Sequence, residues 1–541
     1  MYHTSLFTSD FFGWVKKVFI LGTITLLSAC SASNPTKNKN VLFIIVDDLK
    51  PELGSYGSTY VKSPNIDKIA SEGVLFKNAY VQQAVCSASR ASFLAGVRPK
   101  TTGVSYPLSE YYVNDWLQNH EDISTWFFKN GYYAANVGKI HHNYPSYPID
   151  SLSVPSFIPE GYRYHKKENR LELNPRYYID KKDKNTVAYE FANVADSSYL
   201  DVKTTNKAIE VLRDISQQDK PFFLALGYLK PHLPFNAPKR YWDLYEDVKI
   251  KLSEYNFFPE GAPIYVGSRT GAGEMKSHLL YASEDESSYI INGSITDAYA
   301  LNLRRAYFAC VSYIDDQIGL VLNELKAKGL DKNTIVVVIG DHGWHLGDND
   351  LWSKATNFES ATRAPFIIYD PSLKENQKGQ QIDALVEFVD IYPSLTELAG
   401  IQSPNFLEGT SVKPLIDNPN RKWKKAAFSQ YPRGGLMGYT IRTKAYRYIE
   451  WRKKNGDKRV MDVELYQYKK GGLETRNLAY DENYKDIKKQ LADQLNNGWK
   501  KALPNGFTNV SNNKPAPKSI GWGPEITIGK LKKQDLSKKG K

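Results

Sequence analysis

Three cysteines in 541 residues are too few for a disulfide framework, so the fold must be held by its core. Long hydrophobic runs are also missing. The apolar stretch from Val18 to Leu27 is too short to span a bilayer as a helix. No internal repeat is evident, which argues against a solenoid. Lys and Arg exceed Asp and Glu enough to give a net charge of +12. Yet these basic residues are dispersed, clustering only near Lys422–Lys425 and in the tail Lys530–Lys541. Nucleic acid would also satisfy this charge, but the dispersal and the lack of a nucleic-acid-binding motif argue against it and favour a polyanionic substrate or surface.

The length suits a large α/β core with a smaller second unit. Aromatic residues reach 13%, led by 37 Tyr, a composition compatible with carbohydrate contacts. The three cysteines have separate readings. Cys30 ends the run Leu27, Ser28, Ala29, Cys30, behind Lys16, Lys17 and the apolar stretch, as in a bacterial lipoprotein signal whose cysteine is lipidated. This predicts an exported protein anchored in the cell envelope by lipid alone. Cys310 falls in a helical run and reads as a buried small hydrophobe. Cys86 has chemistry around it.

Val41 to Val46 is apolar at every position and ends in Asp47 and Asp48; Ile335 to Ile339 repeats the pattern and ends in Gly340, Asp341, His342, Gly343. Unbroken apolar runs are what strands covered on both faces require, so a mainly parallel sheet is expected. Ligands gather at the carboxyl ends of such strands. Ala134–Val137 and Phe222–Leu226 are further strands, alternating with helices over Ile66–Glu72, Thr204–Ile215, Ile314–Lys328 and Ile391–Ile401. Tyr241 to Ala300 reads as an insertion or long loop region. Short alternating segments such as Tyr439–Arg442 and Tyr446–Trp451 predict a smaller antiparallel sheet. The expected division is a signal peptide over 1–29, a linker over 30–40, a catalytic α/β domain over 41–420 and a C-terminal subdomain with a basic tail over 421–541.

Paired acids at buried strand ends repel unless a hard divalent cation compensates them, which makes Asp47, Asp48, Asp341 and His342 candidate metal ligands. Taken alone, either pair is read as well as a loop cap, and Lys139 or His232 as an ordinary surface or core residue. Their arrival together, each just past a predicted strand, favours one site. Cys86, Ser87, Ala88, Ser89, Arg90 resembles the modification motif of type I sulfatases, in which the cysteine is oxidised to formylglycine. Gly138, Lys139, Ile140, His141, His142 and the run Gly227 to Phe235, with Lys230 and His232, resemble further segments of that family. The match, closest to the iduronate-2-sulfatase-like branch, runs from about Asn40 to Leu478 and includes Lys354.

The resemblance implies an alkaline phosphatase-like fold and hydrolysis of a sulfate ester on a polysaccharide or oligosaccharide. It implies Ca2+, with Mg2+ as the alternative, held by Asp47, Asp48, Cys86, Asp341 and His342, and a maturase that oxidises Cys86. Arg90, Lys139, His142, His232 and Lys354 would be catalytic, His232 as general acid, with Lys230 and His141 on the substrate. His142 is favoured over His141 because the branch spaces Lys and His as Lys-x-x-His. The rivals are a phosphomonoester or phosphonate ester hydrolase of the same superfamily and a surface lipoprotein that binds glycans without cleaving them.

Overall fold

The computed structural model describes residues 38–105, 119–142, 193–267, 294–454, 459–468 and 472–504, with isolated positions at 152–154, 156–157, 188–191, 275, 290–291 and 507. Cys30, the expected signal peptide over 1–29 and the tail Lys530–Lys541 lie outside the described residues. From Lys39 onward the chain belongs to one compact unit. No described helix is long and apolar enough to cross a membrane.

Among the described residues, strands β1 (Asn40–Val46), β2 (Val74–Tyr80), β3 (Tyr133–Gly138), β4 (Phe222–Tyr228), β5 (Thr334–Gly340), β6 (Phe366–Tyr369) and β7 (Gln380–Glu387) form a seven-stranded sheet. Its order is β7-β2-β6-β5-β1-β4-β3. Only β6 runs antiparallel to its neighbours. Every residue of β1, β4 and β5 is buried, which is the physical reason their apolar runs do not alternate. Leu42, Ile44 and Val46 point into a layer with α1 (Pro64–Glu72), α4 (Leu200–Ile215) and α5 (Asp297–Ala327). Val41, Phe43 and Ile45 face α2 (Cys86–Ala95), α3 (Ile123–Lys129) and α6 (Ile391–Ala399) on the other side. Helix α5 starts far before the expected Ile314 and carries the buried Cys310 in its middle.

Register aligns the carboxyl ends of the four strands that matter. Val46 of β1 lies beside Gly340 of β5 and Tyr228 of β4, and Gly138 of β3 beside Gly227 of β4. Gly138 has a φ of +79°, and a Cβ there would sit 2.1 Å from the Gly227 carbonyl oxygen. Only glycine accepts both conditions. That turn brings the chain back across β4, so that Lys139 N donates to Gly227 O at 2.9 Å.

The C-terminal sheet is an antiparallel meander of β8 (Ala427–Arg433), β9 (Leu436–Arg442), β10 (Tyr446–Lys453) and β11 (Val460–Gln467). Alternation separates its faces. Ile441, Tyr448 and Leu465 pack on Leu491 of helix α7 (Lys485–Asn497). Ile449, Trp451 and Tyr466 pack on Leu351 and Phe358, in the loop after β5. The smaller sheet thus supports a loop that belongs to the large sheet's functional edge.

A buried ion network makes the same connection. Glu359 accepts from Arg442 Nε at 2.9 Å, from Arg447 NH2 at 2.7 Å and from the Tyr80 hydroxyl at 2.8 Å. Glu474 Oε1 lies 3.0 Å from Arg447 Nε and accepts the Glu359 amide at 2.8 Å. Burial pushes the Glu359 carboxyl up, but Arg442 and Arg447 outweigh it and hold the group at about 2, against an ordinary 4.5. A folded-state value below the unfolded one contributes stability that is full above pH 4.5 and lost as pH falls toward 2. Glu359→Gln leaves two buried guanidinium groups short of a counter-charge, so it is expected to lower unfolding stability by roughly 3–5 kcal/mol. Urea unfolding at pH 7 and pH 3 measures this, with the gap between variant and parent narrowing at the lower pH.

Candidate functional site

Cys86 opens α2, and its extended predecessor Val85 offers no side-chain cap. The thiol therefore sits where a helix N-terminus presents unpaired N–H groups and partial positive charge. All ten residues of this helix are buried. Apart from Arg90, the residues at positions 87 to 92 are small and let it lie close against its surroundings, with Ala88 and Ala91 in one apolar cluster with Tyr431. Ser89 Oγ donates to the Asp341 carbonyl, tying the helix to the end of β5.

Around Cys86 the strand ends deliver acids. Asp47 and Asp48 follow β1, and Asp341 and His342 follow β5; all four are fully buried. Asp48 has a φ of +60°, unusual for a residue with a side chain. It is held there by its own amide donating to Asp341 Oδ1 at 3.0 Å. Tyr307 of α5 donates its hydroxyl to the Asp48 carbonyl at 2.7 Å and accepts the Lys50 amide at 2.9 Å. Donor atoms of Asp47, Asp48, Cys86 and His232 lie within 4.8 Å of one another, as do those of Cys86, Asp341 and His342.

Cations answer the acids. Arg90, one turn along α2, donates from Nε to Asp341 Oδ2 at 2.9 Å and from NH2 to Asp47 Oδ1 at 3.2 Å, and NH1 reaches the carbonyls of Lys139 and Ile140. Lys139 Nζ pairs with Asp47 Oδ2. Lys354 Nζ donates to both oxygens of Asp48, at 2.8 and 3.1 Å, and lies 5.1 Å from the centre of the Trp344 ring. Burial pushes the Cys86 thiol up, but Lys354, Lys139 and His342 together draw it well below its usual range. Burial likewise raises Asp47, but Lys139, His232 and Arg90 leave it below the ordinary carboxylate range. Asp48 and Asp341 remain raised, chiefly by burial.

That difference tests the site for a metal. Two crowded carboxyls driven toward protonation by burial, beside oxygens already converging, are the donor set a divalent cation would relieve. His342 fits as well. Its Nδ1 faces the Gly343 carbonyl at 2.9 Å, so Nδ1 carries the proton. Nε2 faces Cys86 Sγ at 3.3 Å and Asp48 Oδ1 at 3.3 Å; burial lowers the ring but Asp341 and Cys86 outweigh it and raise it to about 10, so a cation bound at Nε2 would displace its proton.

The two adjacent histidines part. His141 turns away from Cys86 and meets Asp122 Oδ2 at 2.9 Å, while Asp122 Oδ1 caps α3 through the Thr125 amide at 2.8 Å. His142 lies beside Cys86, and its Nδ1 is buried without a hydrogen-bond partner. His232 also reaches Cys86, with its Nδ1 on the Leu233 carbonyl at 2.8 Å. Lys230, read from the sequence as facing a sulfate, instead points its ammonium at the carbonyls of His232 and Pro234, both at 2.7 Å. The described partners of the two expected substrate contacts are thus Asp122 for His141 and the loop carbonyls for Lys230. Sequence reasoning assigned nothing to Tyr307, Trp344 or Asp201, whose carboxylate accepts the amides of Leu229 and Lys230. Tyr307 and Asp201 sit inside helices with no motif around them, and Trp344 carried no charge to mark it.

The sequence matches the family described as Sulfatase over residues 39–401, and that described as N-sulphoglucosamine sulphohydrolase, C-terminal, over residues 340–501. It is 33% identical to the iduronate 2-sulfatase of Mus musculus, over 79% of this chain and 87% of that protein. Among solved structures it is similar to a protein in complex with its substrate D-glucosamine-2-N,6-O-disulfate, with a TM-score of 0.67 and 21% identity over 89% of this chain and 100% of the other. A phosphonate monoester hydrolase from Silicibacter pomeroyi follows, with a TM-score of 0.66 and 22% identity over 86% of this chain and 96% of the other. Both structural likenesses show the fold, which two different ester chemistries share.

Proposed function

This chain belongs to the sulfatase family and is an iduronate-2-sulfatase-like enzyme of alkaline phosphatase-like fold, and we propose that it removes sulfate from a sulfated sugar within an oligosaccharide or polysaccharide. The observation that carries this reading is the seat of Cys86, 2% exposed at a helix N-terminus, among buried carboxylates paired with Lys139 and Lys354 and beside His142 and His232. Asp47, Asp48, Asp341, His342 and residue 86 would hold a divalent cation, Ca2+ or alternatively Mg2+, which when bound would supply Lewis-acid polarisation of the ester, and a maturase-formed, hydrated formylglycine at position 86 would supply the nucleophile.

The other side chains divide the remaining work. Lys139 and Lys354 place fixed positive charge where sulfate oxygens lie, in a setting too dry to screen it. His142 holds the reacting oxygen of residue 86. On His232 the proton of Nδ1 is engaged by the Leu233 carbonyl, so Nε2 is the atom that delivers a proton to the departing sugar oxygen. Arg90 is a positioning residue, because its guanidinium reaches Asp47, Asp341 and backbone carbonyls.

The net charge of +12 steers a polyanionic glycan toward such a pocket. Export and a lipid anchor at Cys30 would place the enzyme in the cell envelope, where such polymers are degraded; loss of membrane association in Cys30→Ser checks the anchor. The function is tested with protein co-expressed with a formylglycine-generating maturase. Matched aryl sulfate, phosphate and phosphonate monoesters are compared, then defined sulfated oligosaccharides, with released sulfate measured by ion chromatography. Sulfate release from an oligosaccharide, with slower turnover of the phosphorus esters, is the expected result. Preference for a phosphorus ester, or no release from any sulfated saccharide, overturns the proposal.

A further inference from the structure

The loop after β4 presents His232 to the site, and its buried polar groups are tied in an unusual way. Between Tyr228 and Phe235 the chain contains Pro231 and Pro234, which bring no N–H to hold it. Asp201, in the first turn of α4, supplies both acceptors for the amides that enter the loop: Oδ1 takes Leu229 N at 2.8 Å and Oδ2 takes Lys230 N at 3.2 Å. Lys230 then reaches forward along its own loop, its Nζ donating to the carbonyls of His232 and Pro234 at 2.7 Å each. The His232 amide returns to the Leu229 carbonyl at 3.0 Å, and its Nδ1 to the Leu233 carbonyl at 2.8 Å. Both ends of the His232 backbone, and the ring itself, are therefore fixed by this arrangement.

Two ionisable groups buried for a backbone role are costly. Asp201 is 3% and Lys230 4% exposed. Burial pushes the Asp201 carboxyl up to about 6 and the Lys230 ammonium down to about 8. A loop needing stability alone is served by apolar packing of the same volume, without that cost. A carboxylate with two acceptor oxygens and an ammonium with several donors hold a backbone to a sharper geometry than apolar contacts do.

We propose that Asp201 and Lys230 are positioning residues for His232, a bracket that sets the ring's distance and angle to the departing oxygen. The inference rests on His232 as the general acid, so its test carries that assignment as a separate arm. Loss of a well-placed acid matters most for a poor leaving group such as a sugar alcohol and least for an acidic phenol, which leaves without help. Kinetics are measured on the matured enzyme with a sulfated oligosaccharide and with an aryl sulfate bearing an electron-poor phenol. In Lys230→Met and Asp201→Asn, kcat on the oligosaccharide is expected to fall by ~10²-fold while kcat on the aryl sulfate falls only several-fold.

His232→Ala is the benchmark. If it reduces both substrates equally, His232 is not the acid, and the mechanistic reading fails whatever the bracket does. If it shows the selective loss but Lys230→Met and Asp201→Asn reduce both substrates equally, or change neither, the bracket is overturned. Failure of both bracket variants to fold, judged by thermal unfolding against the parent, also overturns it, because the pair would then be a structural pin. Selective loss in either folded variant supports the positioning role.

Discussion

Cys86→Ser is expected to fold as the parent does and to lose turnover on a sulfated oligosaccharide by ~10⁴-fold or more, the scale seen when a nucleophile acting within a unit is removed. The exchange alters one atom in a pocket where Cys86 is 2% exposed, and serine is smaller than cysteine, so packing has no cause to fail. Chemistry has one. A serine hydroxyl at the same helix terminus can attack sulfur, but once esterified it has no second hydroxyl with which to expel sulfate. The variant should stop after a single event, and mass spectrometry of the peptide carrying residue 86 should find sulfated serine. The parent peptide should show formylglycine when produced with a maturase and unmodified cysteine without one, with activity following the modification. A fully active Cys86→Ser enzyme, or a fully active parent with unmodified Cys86, would sink the mechanism.

Stripping the divalent cation with a chelator should abolish sulfate release and lower the thermal unfolding midpoint, with Ca2+ restoring both more fully than Mg2+. Asp47, Asp48 and Asp341 are all 0% exposed, and their compensation by Arg90, Lys139 and Lys354 is incomplete: burial still holds Asp48 and Asp341 raised. A ligand that binds only the folded state adds about 2.7 kcal/mol when present at a hundred times its dissociation constant. A second consequence follows from the raised carboxyls. Rebinding of Ca2+ must drive protons off them, so calorimetry in buffers of different ionisation enthalpy should detect proton release on binding. Unchanged activity and midpoint after exhaustive chelation would remove the metal from the site. Several converging carboxylates suit the larger, less geometrically demanding Ca2+, which sets the expected order of the two ions.

Much of the architecture was legible because burial leaves a direct trace in residue order. Strands β1, β4 and β5 are covered on both faces, so they are apolar at successive positions and end abruptly where the chain meets the site. Acids at those ends stand out because nothing in a core explains them. Strands β6 and β7 were harder to see. The first has four residues, and the second is half exposed along its first part and buried only toward its end, so neither offers an unbroken run. The long helix α5 was caught only in its second half, because its burial wraps most of the helix and leaves little amphipathic contrast.

At the site the division is sharper. Sequence by itself determined which residue types meet: an oxidisable Cys86 followed by Arg90, acids at the ends of β1 and β5, and lysines and histidines beyond β3 and β4. Only the tertiary structure decided which of those side chains point inward. After Gly138, with its φ of +79°, the chain leaves strand geometry, the twofold alternation no longer applies, and His141 goes to Asp122 while His142 goes to Cys86. The Lys230 ammonium is drawn back to its own loop carbonyls because two prolines leave that loop short of donors. Spacing along a chain specifies direction only while the backbone is periodic, and this site is built where the periodicity ends.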